Sequence, residues 1–352
     1  MSQMQLIVMT LYKRPFVKTF AVAPMLDWTD RHCRFFHRQL SANALLYSEM
    51  VVADAAIHGP KERLLGFSGI EHPIALQLGG SDPQKLALAA KIGEDFGYDE
   101  INLNVGCPSD RVQSGTFGAC LMQSPDIVAT AVAAMKHVVS IPVTVKCRIG
   151  VDEQDTETAL NDIARLSIAA GCDAFWVHAR KAWLKGLSPK ENRDVPPLDY
   201  GRVYRLKNKY PNVFIGINGG IASIEEATNH LHYVDGVMVG RAAYQNPAQL
   251  SHVDYVVYDE TYREIDFESI IESMCIYTDA HIRAGGRLSH ISKHMVGLFH
   301  GFPGARRWRQ ILSTDATNYD ATSSVIRKAF AAVDVSGKQE SKDGESEDTG
   351  SN

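Results

Sequence analysis

Eight short apolar or alternating runs recur along the first two-thirds of the chain, and helical patterns separate most of them. The runs are 20–25, 45–50, 73–80, 100–107, 142–149, 174–180, 214–220 and 236–241. Ser81-Asp82 precedes a helical pattern over 83–96, with Pro in its first turn, and Ser124 precedes another over 125–138. A third pattern, 156–170, stops at Gly171, a residue suited to a helix end. Ser223 opens a fourth, with Glu225 and Glu226 in the first turn, where the helix dipole favours them. Strands alternating with helices imply a parallel sheet. Eight repeats in this length fit an α/β fold of the closed (β/α)8 TIM-barrel kind. The open doubly wound sheet is the competitor, but no G-x-G-x-x-G opens the first helix. After Pro247 the alternation stops. Segments 267–283, 288–299, 304–312 and 321–333 read as helices, a small C-terminal all-helical domain. The expected division is an N-terminal extension 1–17, a barrel 18–255, a helical domain 256–334 and a disordered acidic tail 335–352.

Composition narrows the class. With 45% hydrophobic and 22% charged residues among 352, the chain is an ordinary soluble globular protein. Its six cysteines are scattered and form no C-x-x-C pair. That argues against a metal site and a disulfide framework, and for a reducing, cytoplasmic setting. No apolar run is long enough to span a bilayer. Residues 1–9 lack the leading positive charge and cleavage site of a signal peptide. The net charge of −5 is concentrated in the tail, where Lys338 and Lys342 face Glu340, Asp343, Glu345, Glu347 and Asp348. The near-neutral remainder is free to carry a basic face. The tail, rich in Ser, Gly, Glu and Asp, reads as disordered.

The strand ends carry the chemistry. Side chains alternate between the barrel interior and the helix layer. In 100–107, Ile101, Leu103 and Val105 take the outer face, which leaves Asn102 and Asn104 inside. The same alternation turns inward Gln77, then Thr144, Lys146 and Arg148, then Trp176, His178 and Arg180. No buried carboxylate in these strands is expected to neutralise the cations. Unpaired buried cations cost several kcal/mol each, so the cavity suits an anionic or electron-rich planar ligand; a polar network that merely plugs the barrel is the other reading. Gly219-Gly220 and Gly240-Arg241 end the seventh and eighth strands. Glycines there let backbone N–H groups approach a phosphate, although two tight turns would also use them. Ala23-Pro24-Met25 offers an apolar surface for a flat ring. Flavin mononucleotide fits this set, with Gln77 and Lys146 near the polar edge of the ring. Cys107 arrives where the fourth strand turns, the place where such a fold keeps its catalysis; a small buried hydrophobe is the commoner fate of a free cysteine. Cys120 is the rival thiol.

Ala-Pro-Met-Leu-Asp-Trp-Thr-Asp (23–30), Gln-Leu-Gly-Gly (77–80), Asn-Leu-Asn-Val-Gly-Cys-Pro-Ser (102–109) and Val-Thr-Val-Lys-Cys-Arg-Ile-Gly (143–150) resemble the tRNA-dihydrouridine synthases. So do Val-His-Ala-Arg (177–180), Asn-Gly-Gly-Ile (218–221) and Gly-Val-Met-Val-Gly-Arg (236–241). The stretches 188–193, 196–198 and 301–309 resemble the A subfamily, and the likeness covers about residues 20–333. The resemblance implies an FMN-bound barrel and a helical tRNA-binding domain, in a monomer that meets neither membrane nor DNA. NADPH would reduce FMN, which would give hydride to C6 of a uracil in the tRNA D-loop, at positions 20 and 20a. Cys107 would protonate C5 as general acid, and a thiol, as a residue type, holds its proton at neutral pH. By the same resemblance Pro24, Met25, Leu26, Gln77, Lys146, His178, Asn218, Gly219, Gly220, Gly240 and Arg241 bind FMN, with His178 alternatively holding the uracil. Asn104, Lys190, Arg193, Arg306 and Arg309 would contact tRNA at the D-loop and elbow. Two other functions stay open at this point: a flavin barrel acting on a free pyrimidine, and a non-catalytic tRNA-binding factor.

Overall fold

The computed structural model of the protein describes Tyr12 and residues 17–109 and 117–336. The remaining residues of the N-terminal extension, residues 110–116 and the tail from 337 onward lie outside the described residues. Eight strands form a closed parallel barrel in sequence order. They are β1 (Thr19–Val22), β2 (Leu45–Val52), β3 (Ile74–Gly79), β4 (Glu100–Val105), β5 (Val143–Arg148), β6 (Ala174–His178), β7 (Phe214–Asn218) and β8 (Gly236–Val239). β8 returns to β1, with Thr19 opposite Gly236 and Val22 opposite Val239. The sequence reading therefore holds for the barrel, although most strands stop one to three residues before the apolar runs do. The excess residues are the turns that form the rim.

Helices α1 (Arg31–Arg38), α2 (Ala53–His58), α3 (Lys61–Leu65), α4 (Pro83–Phe96), α5 (Pro125–Val138), α6 (Thr156–Ala169), α7 (Tyr200–Lys209), α8 (Ile224–Leu231), α9 (Arg241–Gln245) and α10 (Val253–Tyr258) belong to this first unit. Their starts follow the capping rules. Asp82 accepts hydrogen bonds from the amides of Gln84 and Lys85, and Ser223 accepts from that of Glu226. Ser124 makes no such side-chain bond, so Pro125 alone carries the start of α5. Gly171 takes the left-handed backbone (φ +92°) expected just past α6. Alternation along the strands sorts the two layers. A Cβ on Gly93 of α4 would lie 2.6 Å from Leu76 and 2.8 Å from Ile101, so those outward residues press on the helix. Inside the barrel, Ala21, Tyr47, Ala75, Trp176, Phe214 and Met238 form an apolar core. The Trp176 indole is fully buried, and a Cβ on Gly216 of the neighbouring strand would lie 2.2 Å from its ring. Only glycine fits there.

The barrel floor holds two residues that the sequence reading did not place there. β4 does carry a buried carboxylate, Glu100, inward by the same alternation as Asn102 and Asn104. It neutralises no cation; three hydroxyls hold it instead. Tyr47 and Thr144 donate to Oε1, each at 2.5 Å, and Tyr12 donates to Oε2 at 2.5 Å. Tyr12, counted with the extension, belongs to the barrel, its ring edge-on to Phe214 at 4.7 Å between centroids. Burial pushes the Glu100 carboxyl up to about 7 against the pull of those hydroxyls.

The first unit runs to Ile265 and the second begins at Asp266, later than the 255/256 division read from the sequence. The reason is α10. Its Tyr258 hydroxyl accepts from the amide of Phe20 at 3.1 Å, tying the helix to β1. The second unit holds α11 (Phe267–Arg283), α12 (Leu288–Met295), α13 (Ala305–Thr314) and α14 (Ser324–Phe330). α12 ends four residues before the expected Phe299, just ahead of Gly297, a poor helix former. Trp308 is fully buried against Phe299, 4.8 Å between centroids, and its indole N–H donates to the Met295 carbonyl at 3.1 Å. Trp308 is thus a core residue, and Arg306, Arg307 and Arg309 around it are exposed.

Candidate active site

The C-terminal ends of the strands gather most of the residues singled out from the sequence. Register puts Gln77 beside Asn102, Asn102 beside Thr144 and Asn104 beside Lys146. Arg148 lies beside His178, His178 beside Asn218, and Asn218 beside Met238. Adjacent parallel strands thus present their inward side chains at matching heights, and the amides and cations converge.

Cys107 sits in the turn after β4, half-buried. Asn104 holds that turn, its Oδ1 accepting from the amides of Gly106 at 3.1 Å and Cys107 at 3.0 Å. Arg148 holds it from the other side, donating through Nε to the Gly106 carbonyl at 3.2 Å. Its Nη1 donates to the carbonyls of Lys181 and Asn192, at 3.0 and 2.8 Å. One guanidinium therefore clamps the thiol turn to the loop after β6. The sequence placed Arg148 inside without giving it this task; the signal was the alternation Thr144, Lys146, Arg148. The Cys107 Sγ lies 3.5 Å from Ser109 Oγ. Cys120 is near too, because the amide of Ala119 donates to the Cys107 carbonyl at 2.9 Å. Its thiol, however, donates to the Phe117 carbonyl at 3.0 Å, and burial raises its pKa. Cys33, Cys147, Cys172 and Cys275 are buried, and burial pushes Cys147 up to about 12.

Lys146 donates to Asn218 Oδ1 at 3.1 Å, and Asn218 is itself fixed by donating to the Met238 carbonyl at 2.7 Å. No carboxylate pairs with this ammonium among the described residues. Burial, then Arg148, lowers Lys146 to about 8. Burial lowers Arg148 to about 10, with Arg193 and Arg180 adding to it. His178 is pressed well below its usual value by burial and then by Arg148 and Lys146, so its imidazole is neutral at neutral pH. Arg180 leaves the interior, contrary to the alternation reading. β6 ends at His178, and Arg180 turns to donate to the carbonyls of Asp194 and Pro196.

The two glycine turns stand side by side after β7 and β8. Gly219 (φ +116°) and Gly220 (φ +75°) hold backbone that L side chains rarely adopt, and a Cβ on Gly219 would lie 2.6 Å from the His178 ring. Arg241 meets an anion here, the Asp194 carboxylate, at 2.6 Å. Pro24 and Met25 are partly buried and Leu26 is 62% exposed in a turn fixed by Thr29, whose hydroxyl accepts from the Met25 amide at 2.9 Å. Lys190 and Arg193 flank a short turn in the loop after β6, both exposed. Arg306 and Arg309 belong to the second unit and share one face of α13. Among the described residues no three His, Cys, Asp or Glu side chains come together as a metal site, and no helix is long and apolar enough to cross a membrane. The donor set fits a flat, anionic group carrying a phosphate. It offers a buried ammonium that pairs with no carboxylate among the described residues, a neutral imidazole, two glycine turns without side chains, and an arginine that already grips a carboxylate.

Comparisons with known proteins agree with the fold and name the family. One solved structure, of a 2-naphthoyl-CoA reductase complex, superimposes with a TM-score of 0.52 at 10% identity, over 68% of this chain and 51% of that one; it speaks for the fold alone. A protein of Shewanella oneidensis named tRNA-dihydrouridine(20/20a) synthase is 57% identical over 316 residues, 90% of this chain and 94% of the relative. One of the same name from Escherichia coli K12 is 56% identical over 315 residues, 89% of this chain and 91% of the relative. The family model described as dihydrouridine synthase (Dus) matches residues 21–333, which takes in the barrel, the thiol turn, the glycine turns and most of the second unit: the chain belongs to the dihydrouridine synthase family.

Proposed function

We propose that this protein reduces the C5–C6 double bond of uridine in the D-loop of tRNA, at positions 20 and 20a, to 5,6-dihydrouridine. FMN is its resident cofactor and NADPH the reductant. The reading rests first on one observation: a half-buried thiol at the barrel mouth beside a buried ammonium with no carboxylate partner among the described residues. Relatives with this activity in their names support it.

When bound, FMN supplies the hydride that goes to C6. The chain's own residues do the rest. Lys146, oriented by Asn218, and Gln77 would hold the electron-rich edge of the ring, with Pro24, Met25 and Leu26 against its surface and neutral His178 beside it. Gly219, Gly220, Gly240 and Arg241 would hold the phosphate, the last by exchanging the Asp194 carboxylate for it. Cys107 holds the proton that C5 must receive, since addition of hydride at C6 leaves enolate-like charge on the uracil. Asn104 keeps the thiol turn in place and would face the base, while Lys190, Arg193, Arg306 and Arg309 would grip the tRNA backbone. Extruding a uridine costs a few kcal/mol, and guanidinium groups that match phosphate geometry are suited to offset it. The reaction fits a cytoplasmic monomer, and six free cysteines suit a reducing compartment.

The purified protein should carry one FMN per chain. Cells lacking the gene should lose dihydrouridine at tRNA positions 20 and 20a and regain it with the wild-type gene. Unchanged dihydrouridine at both positions would sink the proposal.

A further inference from the structure

A single hydrogen-bonded relay runs the height of the barrel, from the floor to the thiol turn. Its lowest acceptor is Glu100. Thr144 Oγ1 donates to Glu100 Oε1 at 2.5 Å. Asn102 Nδ2 donates to Thr144 Oγ1 at 2.8 Å, Gln77 Nε2 to Asn102 Oδ1 at 2.8 Å, and Asn104 Nδ2 to Gln77 Oε1 at 2.8 Å. The Gly106 and Cys107 amides donate to Asn104 Oδ1. Every link points downward. An amide side chain can turn over and exchange its donor for its acceptor, so three amides in series have no sense of their own. The ends impose it. Backbone N–H groups can only donate, and Glu100, which receives the hydroxyls of Tyr12, Tyr47 and Thr144, accepts. Both ends demand the same direction, and hydrogen bonds aligned head to tail strengthen one another in a medium of low dielectric. Asn102, Thr144 and Glu100 are fully buried and Gln77 nearly so.

We propose that Glu100 is a positioning residue: from the barrel floor, through Thr144, Asn102 and Gln77, it fixes which way the Asn104 amide faces, and so sets the placement of the Cys107 turn. This rests on the reading that Cys107 is the acid and Asn104 faces the base. Without the bottom acceptor, Thr144 rotates, Asn102 and Gln77 lose their preferred sense, and Asn104 can turn its N–H2 toward the amides it now accepts from. The competing view is that Glu100, Tyr12 and Tyr47 form a plug that only stabilises the barrel.

Two nearly isosteric substitutions separate these views. Thr144→Val and Tyr47→Phe each remove one hydroxyl from the same oxygen of Glu100, but only Thr144 is a link of the relay. Amide exchange of the 104–109 segment, followed by mass spectrometry, reads the turn without cofactor or substrate. In Thr144→Val this segment should lose protection by about 10-fold or more relative to the unlinked strand β7. Single-turnover formation of dihydrouridine should fall about 10- to 100-fold, as a small misplacement of a reacting group can cause, with the affinity for tRNA unchanged. Thr144→Ser should restore both, and Tyr47→Phe should leave both near wild type. If Thr144→Val and Tyr47→Phe behave alike in both measurements, Glu100 is a plug and the proposal is overturned. If the exchange changes only in Thr144→Val but the wild-type protein makes no dihydrouridine, the relay stands and the functional reading fails. Should Thr144→Val not fold, Asn102→Leu cuts the next link and carries the same comparison.

Discussion

At the scale of single residues, the division of labour between two nearby thiols is the sharpest question. Cys107 sits in the turn that Asn104 and Arg148 hold at the barrel mouth, whereas Cys120 spends its proton on the Phe117 carbonyl. Cys107→Ala should therefore cost about 100- to 10,000-fold in dihydrouridine formation, the usual contribution of a general acid, while sparing FMN binding and flavin reduction by NADPH. Cys120→Ala should be mild. Single-turnover oxidation of pre-reduced enzyme by unmodified tRNA decides it, and a crippled Cys120→Ala beside a normal Cys107→Ala would reverse the assignment. Individual inward residues were legible wherever a strand continued: Gln77, Asn104, Lys146 and His178 all face the mouth as alternation requires. Arg180 was misread because β6 stops at His178, and alternation has no meaning past a strand end. Glu100 was missed for a different reason. A lone carboxylate at the start of a strand usually marks a solvated edge, and its three hydroxyl partners come from Tyr12, Tyr47 and Thr144, far apart in sequence.

At the scale of elements, the eight strands and the capped helices were readable because period-2 alternation, Asp or Ser caps and closing glycines agree with one another. The barrel floor was not, because it joins β2, β4 and β5 to a residue before β1. That floor has a measurable consequence. Glu100 has a folded value of about 7 against an ordinary 4.5. Below pH 4.5 the carboxyl is protonated in both folded and unfolded chains and bears on neither. As pH rises from about 4.5 to about 7 the unfolded chain ionises first, so stability is lost across that window, by about 3 kcal/mol at most. Glu100→Gln cannot ionise. Its urea midpoint, measured at about pH 5 and about pH 8, should fall less than that of the wild type. An equal fall in both proteins would mean that Glu100 is ionised at little cost.

At the scale of the whole molecule, an acidic chain with a net charge of −5 is proposed to hold a polyanion, so local charge must outweigh the total. Arg306 and Arg309 are exposed on one face of α13, and Trp308 between them is committed to the core. Arg306→Ala or Arg309→Ala should weaken tRNA binding, lower the salt slope of binding by about 1 per lost phosphate contact, and leave NADPH oxidation without tRNA intact. Normal binding by both variants across a salt series would make this face a solvated surface.

The pairing of Trp176 with Gly216 carries a consequence for descent. A Cβ at 216 would sit 2.2 Å from the indole of the adjoining strand, so the two positions share one fixed volume. A lineage that keeps the indole is confined to glycine opposite it, and one that shortens residue 176 is released from that confinement. Gly216→Ala should destabilise this protein by about 1–3 kcal/mol, and Trp176→Leu should absorb much of that cost. The coupling in a double-mutant cycle would measure how strongly each residue dictates its neighbour's history.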